Sequence, residues 1–363
     1  GDVPQFSKAA AVTFGKDVYL FGGFRSMCTC SGMARAASVA AAVRAGNAGH
    51  DNTLVVFGDH TCASASKYPA HGGNFRALRT ERRTYGVTMP LVPTVAVFDL
   101  YRRRWRFPHV EPSKTHLPPT DMSGAAAVRY GDKAYVFFGG HDAIYVFDTA
   151  TGQFERRNRV QAVWPIRPPA LVGHTATVIG DDVVIIGGYR DVAHATEPYA
   201  AMWRYSLVAD VFEPIELKAG SARLPSLIGH TATRVGDNIV VFGGVLDSCK
   251  SNKLFLYRHS ERLWCEVATG GVGGAYVPPS RAFHTATRVR DHLFVIGGEG
   301  ATGAYPDHID ALDLNTRQWS RKRVRGAWFC GSAGHAAVTV GTSVLLLGGS
   351  QARVKAVGRR SSA

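Results

Sequence analysis

Apolar residues along this 363-residue chain fall into short runs, each closed by glycine, aspartate or asparagine. The stretch Gly229–Trp264 shows the unit. An alternating run, His230–Val235, leads into a turn at Gly236-Asp237-Asn238. An apolar run, Ile239–Phe242, stops at Gly243-Gly244. After a polar loop comes Leu254–Arg258, and a last run begins near Trp264. β-branched and aromatic runs between such turns predict antiparallel strands, four to a unit.

The same rhythm returns along the chain. Ala9–Phe21 predicts a first hairpin. Ser123–Phe154 is the most compact unit, Gly173–Phe212 and Ala282–Trp319 carry longer loops, and Ala333–Leu347 predicts a last hairpin. The rhythm breaks over Phe24–Pro93, a stretch rich in Ala, Gly, Arg and Ser. Inside it Val39–Arg44 and Asn52–Gly58 predict another hairpin, similar to Gly124–Gly140 but with Asp59 in place of the second glycine. The stretch reads in two ways. It is one long insertion in a unit whose outer strands are Thr94–Asp99 and Trp105–Phe107, or it holds an extra, degenerate unit. A structureless loop of this length is unusual in a compact domain. Near the end, Ala352–Val357 could add one strand, and a closing strand could come from Gly1–Phe6 or from outside this chain.

Two marks recur in register. Glycine pairs stand at Gly22-Gly23, Gly139-Gly140, Gly187-Gly188, Gly243-Gly244, Gly297-Gly298 and Gly348-Gly349. A residue that ends a strand stands six before an aromatic at Asp99…Trp105, Asp148…Phe154, Ser206…Phe212, Arg258…Trp264 and Asp313…Trp319. Together they resemble the kelch repeat, over about residues 8–23 and 94–349. The resemblance implies an all-β, kelch-type β-propeller of four-stranded blades, with residues 1–363 as a single domain. Six blades fit the spaced aromatics plus the final hairpin, seven fit the count of inner hairpins, and six is the favoured number. The glycines suit a backbone that turns with positive φ where no side chain fits. Trp105, Trp264 and Trp319 are expected as apolar wedges between blades. Both sets are therefore read as structural.

Composition narrows the function classes. Hydrophobic residues make up 45% and charged residues 19%, which suits a packed core. No apolar run reaches the roughly 18–20 residues of a membrane helix, so no membrane insertion is expected. The first residues, Gly1–Lys8, show no secretory signal. The six cysteines are scattered and read as reduced thiols, which points to an intracellular setting: cytoplasm, cytoskeleton or mitochondrion. Cys28, Cys30, Cys62, His60 and His71 are the one zinc candidate, at a spacing unlike a standard zinc module, and are read as incidental.

Candidate chemistry is sparse. His174, His230, His284 and His335 each begin a strand in a Gly-His-Thr-like context. Equivalent positions on different blades stand too far apart to share a metal ion, so each is expected to bond backbone within its own blade. Some kelch-like propellers are enzymes, such as galactose oxidase, but no motif carries its residues over. Nucleotide loops, nucleophile elbows and zinc-protease helices are missing from the sequence. No catalytic residue, cofactor, metal or small-molecule substrate is expected.

The fold does not require the basic clusters. The net charge is +14. Arg102, Arg103, Arg104 and Arg106, then Arg156 and Arg157 with Arg159, then Arg321, Lys322, Arg323 and Arg325 flank repeat aromatics, and Arg76, Arg79, Arg82, Arg83, Arg359 and Arg360 lie elsewhere. On outer strands they predict a basic belt at the propeller rim. The chain is read as a non-catalytic scaffold, a subunit of a larger assembly in which it meets an acidic protein surface or RNA. An RNA-contacting subunit of a ribonucleoprotein and a protein of the actin or tubulin cytoskeleton are the alternatives. A redox or metal enzyme ranks last.

Overall fold

The structure, a computed structural model, describes residues 6–7, 9–22, 24–25, 41–44, 53–57, 95–106, 108, 122, 124–139, 143–157, 161–162, 168–192, 195–198, 200–268, 276–301, 308–322 and 332–351. Every regular element among them is a strand. They form six four-stranded sheets, the third extended at its edge by Gln161–Ala162. Sheet one joins Ala10–Phe14, Asp17–Phe21, Val95–Asp99 and Arg104–Arg106. Sheet two joins Ala126–Tyr130, Lys133–Phe137, Ile144–Asp148 and Gln153–Arg157. Sheet three joins Thr175–Ile179, Asp182–Ile186, Met202–Ser206 and Val211–Pro214. Sheet four joins Thr231–Val235, Asn238–Phe242, Leu254–Arg258 and Leu263–Val267. Sheet five joins Thr285–Val289, His292–Ile296, Ile309–Asp313 and Trp319–Lys322. Their first strands pack side by side in ring order, and the first strand of sheet six, Ala336–Val340, lies against that of sheet one. Such a ring leaves no inner edge open.

Sheet six is built from both ends of the chain. Ala336–Val340 pairs antiparallel with Ser343–Leu347, and Thr53–Phe57 then runs parallel to Val344–Leu347. Ala41–Arg44 is antiparallel outside it. The hairpin expected near residues 39–58 is therefore present, but it neither joins sheet one nor stands as a sheet of its own. Phe6–Ser7, at the end of the stretch considered for ring closure, pairs with Phe24–Arg25 instead. The rest of 26–94, Ala352–Val357 and the zinc candidates lie outside the described residues.

The wedge residues pack toward the preceding sheet. Trp264 is fully buried among Ile179, Val184 and Ile186 of sheet three and stacks on Phe255 with centroids 5.0 Å apart. Trp319 packs on Phe242 of sheet four at 4.9 Å. Phe154 meets Phe21 of sheet one at 6.2 Å, and Phe212 meets Phe138 at 5.9 Å. Trp105 is partly buried against the sheet-six cluster of Ala336, Val338, Leu345 and Leu347. Burying such a ring removes a large apolar area from water and stabilises each seam by roughly 3 kcal/mol.

The aspartate six residues before the aromatic has a local task. Asp99, Asp148 and Asp313 each accept backbone N–H bonds from the residues two and three further on, at 2.8–3.1 Å. Those bonds hold each carboxyl below the ordinary aspartate range. The turn then needs a left-handed residue, which is Gly152 in sheet two but Arg103, Asp210, Arg262 and Arg317 in sheets one, three, four and five.

The glycine pairs make contacts between sheets. Gly188 N–H donates to Leu227 O at 2.7 Å and Gly244 N–H to Arg281 O at 2.8 Å, each in the next sheet's approach strand. A Cβ on Gly187 (φ 63°) would stand 2.4 Å from Leu227 O, which excludes any side chain there. In sheet two the register differs from the expected Gly139-Gly140. Its second strand ends at Phe137, so Phe138 takes the first left-handed position (φ 55°) and Gly139 the second, donating to Leu171 O. Gly23 and Gly140 lie outside the described residues.

Candidate functional site

The strand order gives the ring two unlike ends. The turns between first and second strands, and between third and fourth, share one end, the turn face. The glycine pairs and the approach to each first strand share the other, the loop face. The loop face carries small added sheets, such as Leu171–Val172 with Tyr189–Val192 and Ala195–Pro198, and Leu227–Ile228 with Val245–Leu246 and Cys249–Lys250.

At the axis of the loop face, backbone bonds run from sheet to sheet. Gly173 N–H donates to Gly124 O, Gly229 to Gly173, Phe283 to Gly229 and Gly334 to Phe283, at 2.8–3.1 Å. These residues and the four histidines line a cavity of about 140 Å³. Gly124, Gly173, Gly229, Phe283 and Gly334 all have positive φ there.

The histidines lie directly after this backbone ring, and their partners correct the sequence expectation. His230 Nε2 bonds Thr175 Oγ1 at 2.9 Å, His284 bonds Thr231 at 3.0 Å and His335 bonds Thr285 at 2.8 Å. Each threonine opens the preceding sheet, so these bonds join neighbouring sheets and none stays within one blade. Burial holds His174 and His230 neutral, with pKa values lowered to about 3, and lowers that of His284 well below the ordinary range. No group of three or more metal-ligating side chains is found among the described residues. A neutral, hydroxyl-bonded imidazole wedged between sheets is a structural clip.

His174 is the exception. Both of its ring nitrogens are buried with no hydrogen-bond partner among the described residues. Ala126 pairs with Phe137 in sheet two as Thr175 pairs with Ile186 in sheet three, so an alanine stands where the other clips have threonine. An orphaned buried nitrogen costs free energy that one hydroxyl would recover. Ala126→Thr should therefore raise stability by about 1 kcal/mol in chemical denaturation. Unchanged or reduced stability would show that the His174 ring does not face this position.

The basic side chains divide by what they touch. Arg106 is tied to Asp17 at 2.6 Å and Arg157 to Asp210 at 3.1 Å, which removes two of the expected rim charges from free use. Arg321 lies over the Tyr276 ring at 4.9 Å and donates to its hydroxyl at 3.2 Å. Tyr276 in turn donates to the buried Asp310, the partner of the buried Arg281. Arg156 is exposed and Lys322 half-buried on their outer strands. Arg323 and Arg325, with Arg76, Arg79, Arg82, Arg83, Arg159, Arg359 and Arg360, lie outside the described residues. Arg102, Arg103 and Arg104 remain exposed. Arg102 stands 3.9 Å from Asp99, and Arg103 and Arg104 make no ion pair among the described residues. Beside them Tyr101 is 83% exposed. Composition and charge pointed to these arginines but not to the tyrosine, because an aromatic in an aspartate-capped turn looks in sequence like another core residue.

Comparison with known proteins agrees with this architecture. Residues 229–357 match the family described as the KLHDC2/KLHL20/DRC7 Kelch-repeats domain. Acyl-CoA-binding domain-containing protein 4 of Arabidopsis thaliana is 28% identical over 244 residues, 62% of this chain and 34% of that protein. Host cell factor 2 of Homo sapiens is 26% identical over 254 residues, 64% of this chain and 31% of that protein. Leucine-zipper-like transcriptional regulator 1 of Mus musculus is 27% identical over 182 residues, 48% of this chain and 20% of that protein. The chain thus spans a minor part of the curated relatives it matches. With glycine pairs crossing between sheets, aromatics wedged into five of the six seams and a matching family model over residues 229–357, the chain carries kelch repeats, and its fold is that of a kelch-type β-propeller.

Proposed function

We propose that this propeller is a non-catalytic protein-interaction module, a subunit of a larger assembly, that docks an acidic protein surface on sheet one. Six blades, the last closed by Ala41–Arg44 and Thr53–Phe57, form its scaffold. The turn Tyr101–Arg104 carries the reading. It presents an 83%-exposed tyrosine beside three exposed arginines, while Asp99 already spends one oxygen on the turn itself. Tyrosine and arginine dominate the energetics of protein interfaces. The buried His174, His230 and His284, held neutral, and the inner Arg281–Asp310 pair serve the fold.

The test is charge reversal confined to sheet one. Arg321 is left untouched, because it holds Tyr276 and through it the buried Asp310. Arg102→Glu, Arg103→Glu and Arg104→Glu together should abolish recovery of partners at physiological salt while the melting temperature stays within a few degrees of wild type. Recovery at wild-type yield would show that the rim is only solvated surface. Partners lost on nuclease treatment of the wild type would replace the protein partner by RNA.

A further inference from the structure

The turn face of sheet five holds a second basic surface, apart from the rim. Arg290 lies in the turn between its first two strands with φ 53°. The matching turns of the other sheets carry Gly15, Gly131, Gly180, Gly236 and Gly341, all left-handed. Arg317 (φ 59°) lies in the outer turn, at the position that sheet two fills with Gly152. Left-handed backbone suits glycine, and a long side chain there is strained. Arginine thus stands at two turns of one sheet where glycine would be the unstrained choice.

A third arginine completes the surface. Arg288 donates from Nε to Arg290 O at 2.8 Å, which holds its guanidinium across the same turn. Arg234, at the matching position of sheet four, is held in the same way to Gly236 O and reaches Val178 O. Arg288, Arg290 and Arg317 are exposed, and none makes an ion pair among the described residues. The nearby carboxylates are largely engaged. Asp313 caps the outer turn and lies 4.0 Å from His292, and Asp237 lies 3.6 Å from Arg234. Asp291 is exposed next to Arg290 in the same turn and makes no ion pair among the described residues.

We infer that the turn face of sheet five, with Arg288, Arg290 and Arg317, is a docking surface for an acidic protein segment. Guanidinium groups anchored to backbone carbonyls lose little freedom when a carboxylate arrives. Interspersed Asp291 and Asp237 suit separate carboxylates better than a continuous phosphate backbone. The large exposed apolar residues among the described ones, Tyr101, Val208 and Val277, lie elsewhere, so the aromatic beside this turn is the half-exposed His292, already stacked on Phe294. The inference rests on the interaction-module reading but on other residues than Tyr101–Arg104.

The test uses the full chain and a fluorescent poly-glutamate peptide, with single-stranded oligo-uridine as the second probe. The peptide should bind wild type, and binding should weaken as salt rises from about 50 to about 200 mM. Arg288→Ser, Arg290→Gly and Arg317→Gly together should weaken it by about tenfold or more, as loss of three exposed charge contacts implies. The melting temperature should hold or rise, since both glycines relieve left-handed strain. Should the triple variant unfold, Arg290→Gly with Arg317→Gly alone is the comparison, with a loss of several-fold expected. Equal peptide binding by the folded variant overturns the inference. So does tighter binding of oligo-uridine through the same arginines, which would make the partner a nucleic acid. Loss on reversing Arg102, Arg103 and Arg104, with none here, would leave the rim proposal standing and this one refuted.

Discussion

Moved from about pH 7 to about pH 4.5, the protein should lose on the order of 5 kcal/mol of stability through two histidines alone. His174 and His230 are buried, and burial lowers their pKa values to about 3 in the folded chain. Unfolded, each returns to about 6.5. The unfolded state therefore binds more protons at every pH between these limits, and stability falls as pH drops through that window. It is fully present above about pH 6.5 and lost progressively toward about pH 3, at roughly 2.7 kcal/mol per histidine by pH 4.5. His284 is lowered in the same direction and adds to the loss. A loss of this size approaches the whole margin of an ordinary domain, about 5–15 kcal/mol. Urea titrations at a series of pH values read it directly. A flat profile between pH 7 and about 4.5 would show that the rings reach solvent and do not clip neighbouring sheets. His230→Gln, neutral at every pH, should flatten the profile by one histidine's share.

Trp264→Ala should cost roughly 3–5 kcal/mol, the range for emptying a buried indole site. Its ring is wholly buried, stacks on Phe255 and fills the seam between sheets three and four beside Ile179, Val184, Ile186 and Leu227. Backbone hydrogen bonds on both sides fix that seam, from Gly188 to Leu227 and from Ala222 to Trp264 O at 2.8 Å, so the walls have little room to collapse. A contrast separates packing from hydrogen bonding. The indole N–H of Trp264 is buried with no acceptor among the described residues. Trp264→Phe therefore removes an orphaned donor along with part of the ring and should cost well under half as much. Thermal and chemical unfolding of the two variants gives both numbers. An alanine variant within about 1 kcal/mol of wild type would mean that the seam closes without the ring.

Strands, turns and wedges were legible in the sequence because each depends on neighbours a few residues away. Alternation such as His230–Val235, the stop at Gly243-Gly244 and the spacing from Asp313 to Trp319 are local patterns, and they predicted the sheets of 124–322 closely. Other features are settled between residues far apart. His230 meets Thr175, 55 positions earlier, and only the ring order makes them neighbours. Without it the histidines looked self-contained, and the missing hydroxyl at Ala126 had no meaning. The hairpin of Ala41–Arg44 and Thr53–Phe57 could be seen as strands but not assigned, since an apolar edge such as Ser343–Leu347 accepts any strand that reaches it. Phe138 shows the limit within a single repeat. The sequence Phe-Phe-Gly-Gly suggests one register, and the hydrogen bond from Gly139 to Leu171 in the next sheet imposes another. Charge followed the same division. The count of arginines is written in the chain, but whether one is free depends on the sheet beside it. Asp17 neutralises Arg106 and Asp210 neutralises Arg157, while Arg288, Arg290 and Arg317 face open solvent. Local chemistry determined what each segment becomes, and packing around the axis decided which side chains still have work to do, because a pair interaction exists only once both partners are brought within reach.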